Sequence, residues 1–546
     1  MSKIKEITTV IESVSGVKLL DVDPGKATNR TVVTFVGSPE DVIEAAFLAV
    51  KKACEVIDMR SHSGEHPRFG ATDVLPLVPV SGISMQETVE WARKLAKRIG
   101  EELNFPVYCY ESAAFKEERR NLATVRSGEY EGLKEKLADP KWKPDFGPAE
   151  FVPKTGSIAV GARDFLVAYN VNLNTTSTRR ANAIAYDVRE RGRVKREGDP
   201  LTGPVVKDDK GNPVMIPGRL KAVKAIGWFI EEYGIAQISM NLTNISITSI
   251  HEAFDEVCKK AAERGIRVSG SEIVGLVPLK AILDAGRYFL RKQERSTGVS
   301  DSELIKIAVK SMGLDELSPF VPEEKIIEYK IGIGQDNVLA GMTVKRFMEE
   351  TASESPAPGG GSVSAYMGSL GTALATMVAN LSSHKRGWDE RWSYFSDWAD
   401  KGKTIQEELL QLVDEDTRAF NRIMDAFGLP KLSAEEADAR KAAIHEATIG
   451  AIQVPLKVMK TAFKGYELAE AMLNEGNPNS LTDAGVAVLA LDACIEGAWF
   501  NVLINAADIK EDAQVSEMLK DGKALKEASG QIRSRLSAYV YSRLLT

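Results

Sequence analysis

Residues 329–343, Tyr-Lys-Ile-Gly-Ile-Gly-Gln-Asp-Asn-Val-Leu-Ala-Gly-Met-Thr, separate two kinds of sequence. With Gly332, Gly334 and Gly341 the stretch reads as a linker. From Thr343 onward the chain is rich in Ala, Leu, Glu and Lys. Only Pro356, Pro358, Pro430, Pro455 and Pro478 interrupt its helical periodicity, which predicts an all-α domain over 343–546. Before the linker (326–342), strand-like and helix-like segments alternate, and two α/β subdomains are expected, over 1–165 and 166–325. Together they predict a multidomain protein: two α/β subdomains of ferredoxin-like, βαβ type, then a helical domain.

In the first subdomain, Val17–Val22 and Thr31–Val36 are β-branched strands around Pro24-Gly25. Pro39-Glu-Asp41 opens a helix, and Ser84 with Glu87 has the spacing of a capping box. Val74–Pro79 and Val107–Tyr110 complete a β-α-β-β-α-β order. The second subdomain repeats the type, with clean alternation over Ile235–Ile247 and a Gly/Pro-rich insertion at 194–217 read as a loop or hairpin.

At 546 residues the chain needs several cores. A net charge of −7 supplies no global field for nucleic acid or anionic membrane, so an anionic ligand must be held by a local cluster. No unbroken run of about 18 apolar residues is present, and 363–382, with its glycines and hydroxyls, suits a buried helix of a soluble protein. Cys54, Cys109, Cys258 and Cys494 are scattered without CxxC spacing. This predicts free thiols in a reducing cytoplasm and no cysteine-built zinc site.

His62-Ser-Gly-Glu-His66-Pro-Arg68 crowds acid, base and guanidinium just ahead of an apolar strand, in a chain with five histidines. H-x-x-E-H can bind metal when a helix puts both histidines on one face. Here Gly64 weakens a helix and Pro67 drives His66 towards extended backbone, so no metal is expected. A neutral imidazole beside a carboxylate can act as a base near pH 7, and Arg68 suits a substrate carboxylate. Two solvated loop histidines are the plainer alternative.

The segment Gly147, Pro148, Ala149, Glu150, Phe151, Val152, Pro153, Lys154, Thr155, Gly156 offers a loop shaped by its glycine and prolines. Phe151 gives it an aromatic face for a flat ring, and Lys154 suits a carboxylate. In the helical domain, Asp416 lies three and four residues beyond Val413 and Leu412, at the edge of an apolar stripe, while Glu415 should face water. A half-buried carboxyl there could donate a proton; a solvated acidic face is the alternative. Pro358-Gly359-Gly360-Gly361-Ser362 precedes a helix, lacks the spacing of a P-loop, and leaves backbone N–H groups for an anion.

The runs LLDVDPGKATNRTVVTFVG (19–37), GEHPRFGATDVLPLVPV (64–80), SGEYEGL (127–133), DFGPAEFVPKTG (145–156) and GARDFLVAYNVNL (161–173) resemble glutamate formimidoyltransferase. IIEY, APGGGSV, LVDEDTRAF and FNVLIN, in that order, resemble formimidoyltetrahydrofolate cyclodeaminase. The whole chain thus resembles the bifunctional formiminotransferase-cyclodeaminase family. That resemblance implies two reactions of histidine degradation. The first transfers the formimino group of N-formimino-L-glutamate to N5 of tetrahydrofolate. The second cyclises the product to 5,10-methenyltetrahydrofolate with loss of ammonia. It implies His66 as the transferase base, all of 147–156 as folate-binding, Val152 included, and Asp416 as the catalytic carboxyl of the second reaction. His62, Arg68, Gly359, Gly360 and Gly361 are expected in support. Tetrahydrofolate, as its polyglutamate, is the expected one-carbon acceptor, and the Ala- and Gly-rich helices predict a homo-oligomer. Family members carry a further strand and loop before the first helix. Their absence here raises the alternative that only the C-terminal half is active.

Overall fold

The computed structural model describes residues 2–25, 29–63, 68–198, 202–332 and 338–545. They fall into two compact units, one of 1–285 with 309–331 and one of 286–308 with 332–546.

In the first unit, helix α1 (Ser2–Glu12) precedes the hairpin β1 (Lys18–Gly25) and β2 (Arg30–Val36). Helix α2 (Pro39–Val56) starts on Pro39, with the Ser38 hydroxyl capping Asp41 N. Strand β3 (Val74–Leu77) leads to helix α3 (Met85–Glu102), whose capping box closes through Ser84 and Glu87 as the spacing predicts. Strands β4 (Val107–Glu111) and β5 (Ile158–Ala162) follow, and β5 lies between β3 and β4, parallel to both. The strands and helices fall where expected, but their order is β-β-α-β-α-β and not β-α-β-β-α-β, and among the described residues β1 and β2 pair with each other instead of joining that sheet. The short separation of the two strands in sequence makes them each other's nearest partners.

The second half of this unit follows the ferredoxin-like pattern strand by strand. β6 (Val167–Leu173), helix α4 (Thr178–Val188), β7 (Val223–Ile230), β8 (Ile235–Leu242), helix α5 (Ile250–Ala262) and β9 (Val268–Val274) form one antiparallel sheet in the order β9-β6-β8-β7. Helices α4 and α5 cover one face, where Tyr169, Val171, Ile238 and Met240 are buried. The 194–217 insertion is a hairpin closed by pairing of Arg193–Val194 with Met215–Ile216. Helices α6 (Leu279–Lys292) and α7 (Asp301–Met312) complete the α/β part of the sequence.

The helical unit is built on α8 (Val344–Thr351), α9 (Gly360–Ser383), α10 (Trp392–Gly428), α11 (Ala434–Glu475), α12 (Leu481–Asn505) and α13 (Ala513–Leu544). Small residues bring α9 and α12 together. A Cβ on Gly368 would lie 2.6 Å from Cys494 Sγ, and one on Gly371 2.9 Å from Ala490 Cβ. Hydroxyls buried in α9 return to their own helix, Thr372 to Gly368 O and Thr376 to Thr372 O, so these polar side chains of 363–382 are satisfied. Among the described residues one helical stretch, Pro478–Asn505, is long and apolar enough to cross a membrane by length and composition. Asp483, Asp492 and Glu496 punctuate it, so it contains no unbroken apolar run of about 18 residues. It packs among α9, α11 and α13.

Candidate active sites

The first candidate site is built where two segments run side by side ahead of β3 and β5. Met59 N donates to Lys154 O (2.9 Å), Ala71 N to Thr155 O (2.8 Å) and Ser157 N to Phe69 O (3.0 Å). The segments touch at glycine on both sides. A Cβ on Gly70 would fall 2.0 Å from Ser157 O, and one on Gly156, at φ +69°, would fall 2.5 Å from Phe69 O.

Arg68 ties this edge together. Its guanidinium donates to Met59 O (3.2 Å), to His62 O and to the Glu131 carboxylate, and lies 4.8 Å from the Tyr130 ring centre. Tyr130 N donates to Arg68 O (2.8 Å) and its hydroxyl to Pro153 O (2.5 Å), while its ring packs on Phe151 at 5.5 Å. The result is a cluster in which Arg68 sits over the Tyr130 ring and Phe151 meets that ring at a tilt of 56°. Neither Tyr130 nor Glu131 was singled out from the sequence. Both lie in the quoted SGEYEGL run, and only the tertiary fold brings that run to Arg68.

The remaining residues divide. His62 shares a 2.9 Å hydrogen bond between Nε2 and Asn29 O. Asp73 accepts from Arg126 (2.8 Å) and pairs with Arg30 (3.2 Å). Lys154 Nζ donates to Glu55 O (3.1 Å) at the end of α2. His66 lies outside the described residues.

The 147–156 segment does not present all its residues to one side. Phe151 and Pro153 meet Tyr130, and Lys154, Thr155 and Gly156 run along 59–71. Val152 turns the other way from Phe151 and Pro153. Its side chain packs into the apolar core that holds Val50, Ile99 and Ile158, because an aliphatic side chain gains more from burial there than from a polar ligand edge. The Val152 carbonyl accepts Thr155 N (3.2 Å) and Gly156 N (2.8 Å), closing the turn that carries its neighbours. Val152 thus anchors the loop. Gly147, at φ +78°, sits where a Cβ would meet Phe105 O at 2.3 Å, and Pro148, Ala149 and Glu150 follow it towards solvent.

The second site is formed by packed helices. Helix α9 starts at Gly359 with no side-chain cap, so its first N–H groups are unclaimed by a capping residue. The Asp416 carboxylate from α10 sits over this end: a Cβ on Gly361 would lie 2.2 Å from Oδ1. Ser362 Oγ is 3.1 Å from Asp416 Oδ2 and 2.8 Å from Val413 O. Burial pushes the Asp416 carboxyl above the ordinary aspartate range, and hydrogen bonds from the Ser362 side chain and backbone oppose that only in part.

Its neighbours have other work. Asp414 is buried and accepts Leu339 N (2.8 Å) and Ala340 N (3.0 Å), fixing the chain as it enters the helical domain. Glu415 pairs with Arg418 (2.8 Å) and Arg422 (2.9 Å). From α12, Asn501 comes so close to Gly360 that a Cβ there would meet its Nδ2 at 3.3 Å. Three stretches distant in sequence, APGGGSV, LVDEDTRAF and FNVLIN, therefore converge on one carboxyl at the positive end of a helix.

The chain belongs to the formimidoyltransferase-cyclodeaminase family. Residues 1–163 match the profile of the formiminotransferase domain, N-terminal subdomain; 168–332 match that of the formiminotransferase domain; and 343–524 match formiminotransferase-cyclodeaminase. The formimidoyltransferase-cyclodeaminase of Mus musculus is 41% identical over 528 residues, which span 95% of this chain and 94% of the mouse protein. The halves also have separate relatives. Glutamate formimidoyltransferase of Thermoplasma acidophilum is 43% identical over 53% of this chain and 88% of its own length. Methenyltetrahydrofolate cyclohydrolase of Methylorubrum extorquens is 35% identical over 37% of this chain and 97% of its own length. In formimidoyltransferase-cyclodeaminase terms, the Arg68 edge lies in the transferase half and Asp416 in the cyclodeaminase half.

Proposed function

We propose that this chain carries out two consecutive folate reactions. It transfers the formimino group of N-formimino-L-glutamate to N5 of tetrahydrofolate, then closes 5-formimino-tetrahydrofolate to 5,10-methenyltetrahydrofolate with release of ammonia. One observation carries the reading: relatives with both activities in their name match over 95–98% of this chain, which argues against either half being a remnant.

In the first step N5 attacks the amidine carbon and must lose its proton. His66 is assigned as the base, a role typically worth about 10²–10⁴-fold. The 147–156 segment, anchored through Val152, is assigned to folate with Phe151 beside the flat ring, and His62 and Arg68 hold the loop around it. In the second step N10 attacks the formimino carbon within the same molecule, so holding the right conformer supplies much of the rate. Asp416 is assigned the remaining task, delivering a proton to the departing ammonia, which a carboxyl with a raised pKa suits. The uncapped N-terminus at Gly359, Gly360 and Gly361 would receive an anionic or carbonyl oxygen of folate.

Two finer points belong to this proposal. A polyglutamate tail would keep the intermediate at high effective concentration for the second site. Equal release of intermediate from mono- and polyglutamylated substrate would overturn that. The chain is also assigned to the cytoplasm, in keeping with four free cysteines, and to a homo-oligomer. Leu370, Leu381, Val486 and Leu489 on α9 and α12 are each about half exposed, which favours self-association; a monomer by light scattering would count against it.

The test of function is a coupled assay on wild type, His66→Ala and Asp416→Ala. His66→Ala should abolish transfer and spare deamination of supplied intermediate; Asp416→Ala should do the reverse. Retention of both activities by both variants would refute the assignment.

A further inference from the structure

The antiparallel sheet of the second subdomain has one face without α4 and α5, and on it lies a row of buried polar side chains. Residues opposed in register share a face, so β9, β6, β8 and β7 align Gly270, Asn172, Gln237 and Trp228 in one row and Glu272, Asn170, Ser239 and Ile226 in the next. Asn170, Asn172 and Gln237 are 5%, 0% and 1% exposed. A solvated sheet face would leave such residues wet, and a packing face would be apolar.

The hydrogen bonds among them fix which atoms are left over. Gln237 Nε2 donates to Asn172 Oδ1 (2.9 Å) and to Glu272 Oε1 (3.0 Å). Asn170 Nδ2 also donates to Glu272 Oε1 (2.9 Å), and Asn172 Nδ2 donates to Glu316. Both bonds to Glu272 thus converge on one oxygen, Oε1. Because both partners of Gln237 Nε2 are oxygens, the amide orientation is settled and its carbonyl points elsewhere. Gln237 Oε1 is buried with no hydrogen-bond partner, and a polar atom left so costs about 1–3 kcal/mol. Among the described residues these bonds join two carboxylates and three amides, and the one buried side-chain atom of the network left without a partner, Gln237 Oε1, is an acceptor. Towards β7 the same face opens: Trp228 and Ile226 are 42% and 55% exposed.

We propose that Gln237 Oε1 and the Glu272 carboxylate form a binding site for a planar N–C–N edge that carries N–H donors. This rests on the proposed transferase activity, whose substrates present that chemistry twice: in the amidine of the formimino group and in the 2-amino-4-oxopyrimidine ring of folate. A carboxylate beside a carbonyl oxygen accepts two parallel N–H bonds from either. Trp228 and Ile226 give the open side an apolar border for a flat group.

Steady-state transfer by the full chain, with each substrate varied separately, tests the site and separates its two sources. In Glu272→Gln the KM of one substrate should rise roughly 10–100-fold, the loss of a charge-assisted bond, while deamination of supplied intermediate stays unchanged. A rise for formiminoglutamate assigns the site to the amidine; a rise for tetrahydrofolate assigns it to the pterin ring. Ser239→Leu leaves the network intact and blocks the open approach, so it should raise the same KM even should Glu272→Gln not fold. An active wild type with neither KM moved in these variants would overturn the site alone. A wild type unable to transfer the formimino group would overturn the site together with the function.

Discussion

The two candidate sites sit in one chain and are built on opposite plans. In the helical domain a carboxyl, a glycine, a serine and an asparagine are placed by the packing of α9, α10 and α12, and Asp416 lies too close to Gly361 for a methyl group. In the α/β part the residues lie on loops ahead of strands, held by backbone carbonyls and the Arg68–Tyr130–Phe151 cluster. Helix packing leaves little slack, whereas a loop cluster shares its work among several partners. One small change should therefore silence the helical site, and a large one should only weaken the loop site.

Among changes that leave the catalytic groups themselves in place, the largest effect is expected from Gly361→Ala. The added carbon must displace the Asp416 carboxylate, and a misplacement of about 1 Å can cost roughly 10²-fold in rate. Deamination of supplied intermediate should fall by about that factor or more with transfer intact. Full deaminase activity in this variant would break the contrast. Arg68→Ala comes next: it removes the bonds to Met59, His62 and Glu131 and the contact with Tyr130. Transfer should drop by roughly tenfold, with about 1–3 kcal/mol of stability lost in denaturant unfolding. Arg68→Lys should recover little of either, since a point charge cannot reach both carbonyls and the carboxylate.

Asp416→Asn separates activity from stability. The folded carboxyl has a raised pKa, so its contribution to stability is present at acid pH, below the unfolded value, and is lost as pH rises through the folded one. At neutral pH the charged form is therefore a cost that asparagine removes. The variant should be inactive in deamination yet melt no lower than wild type at neutral pH, with its advantage vanishing as pH falls towards the ordinary aspartate range. A lower melting point at neutral pH would mean that the carboxylate is held by partners that outweigh its burial.

The contrast also explains what the sequence could disclose. Helical periodicity placed Asp416 at the edge of an apolar stripe because its offsets from Leu412 and Val413 suffice for that. Ser362 and Asn501 stayed hidden, since which helices face each other is not a local property. Around Arg68, the crowding of charged residues drew attention to one loop, but Tyr130 and Glu131, which meet Arg68, come from a segment with no local signal of its own. A contiguous motif also says too much: 147–156 reads as one binding loop, yet the chain turns at Val152 and sends that side chain into the core. The α/β class of the second subdomain was legible, with clean alternation at Ile235–Leu242, whereas the strand Val223–Ile230 was not singled out. Alternation equally concealed that the polar side of Ile235–Leu242 is buried, because it reports which residues share a face and not what covers that face.

The smallest effect is the most discriminating. Ser362 has one hydroxyl proton and three oxygens in reach, Val413 O at 2.8 Å, Asp416 Oδ2 at 3.1 Å and, more distant, Thr417 Oγ1 at 3.4 Å. Given to Asp416, the proton favours the carboxylate and restrains the rise in pKa that burial causes. Ser362→Ala should then push the carboxyl further up. The alkaline limb of the deaminase pH–rate profile should move to higher pH, with little change in the rate at its plateau. Given to Val413 O, the proton leaves Ser362 Oγ as an acceptor for a protonated Asp416, and the same substitution would move the limb to lower pH. The direction of that shift decides whether the hydroxyl restrains the acid or helps to keep it protonated. The loop site permits no comparable test, because its hydrogen bonds are shared among several backbone carbonyls and none of them governs one proton.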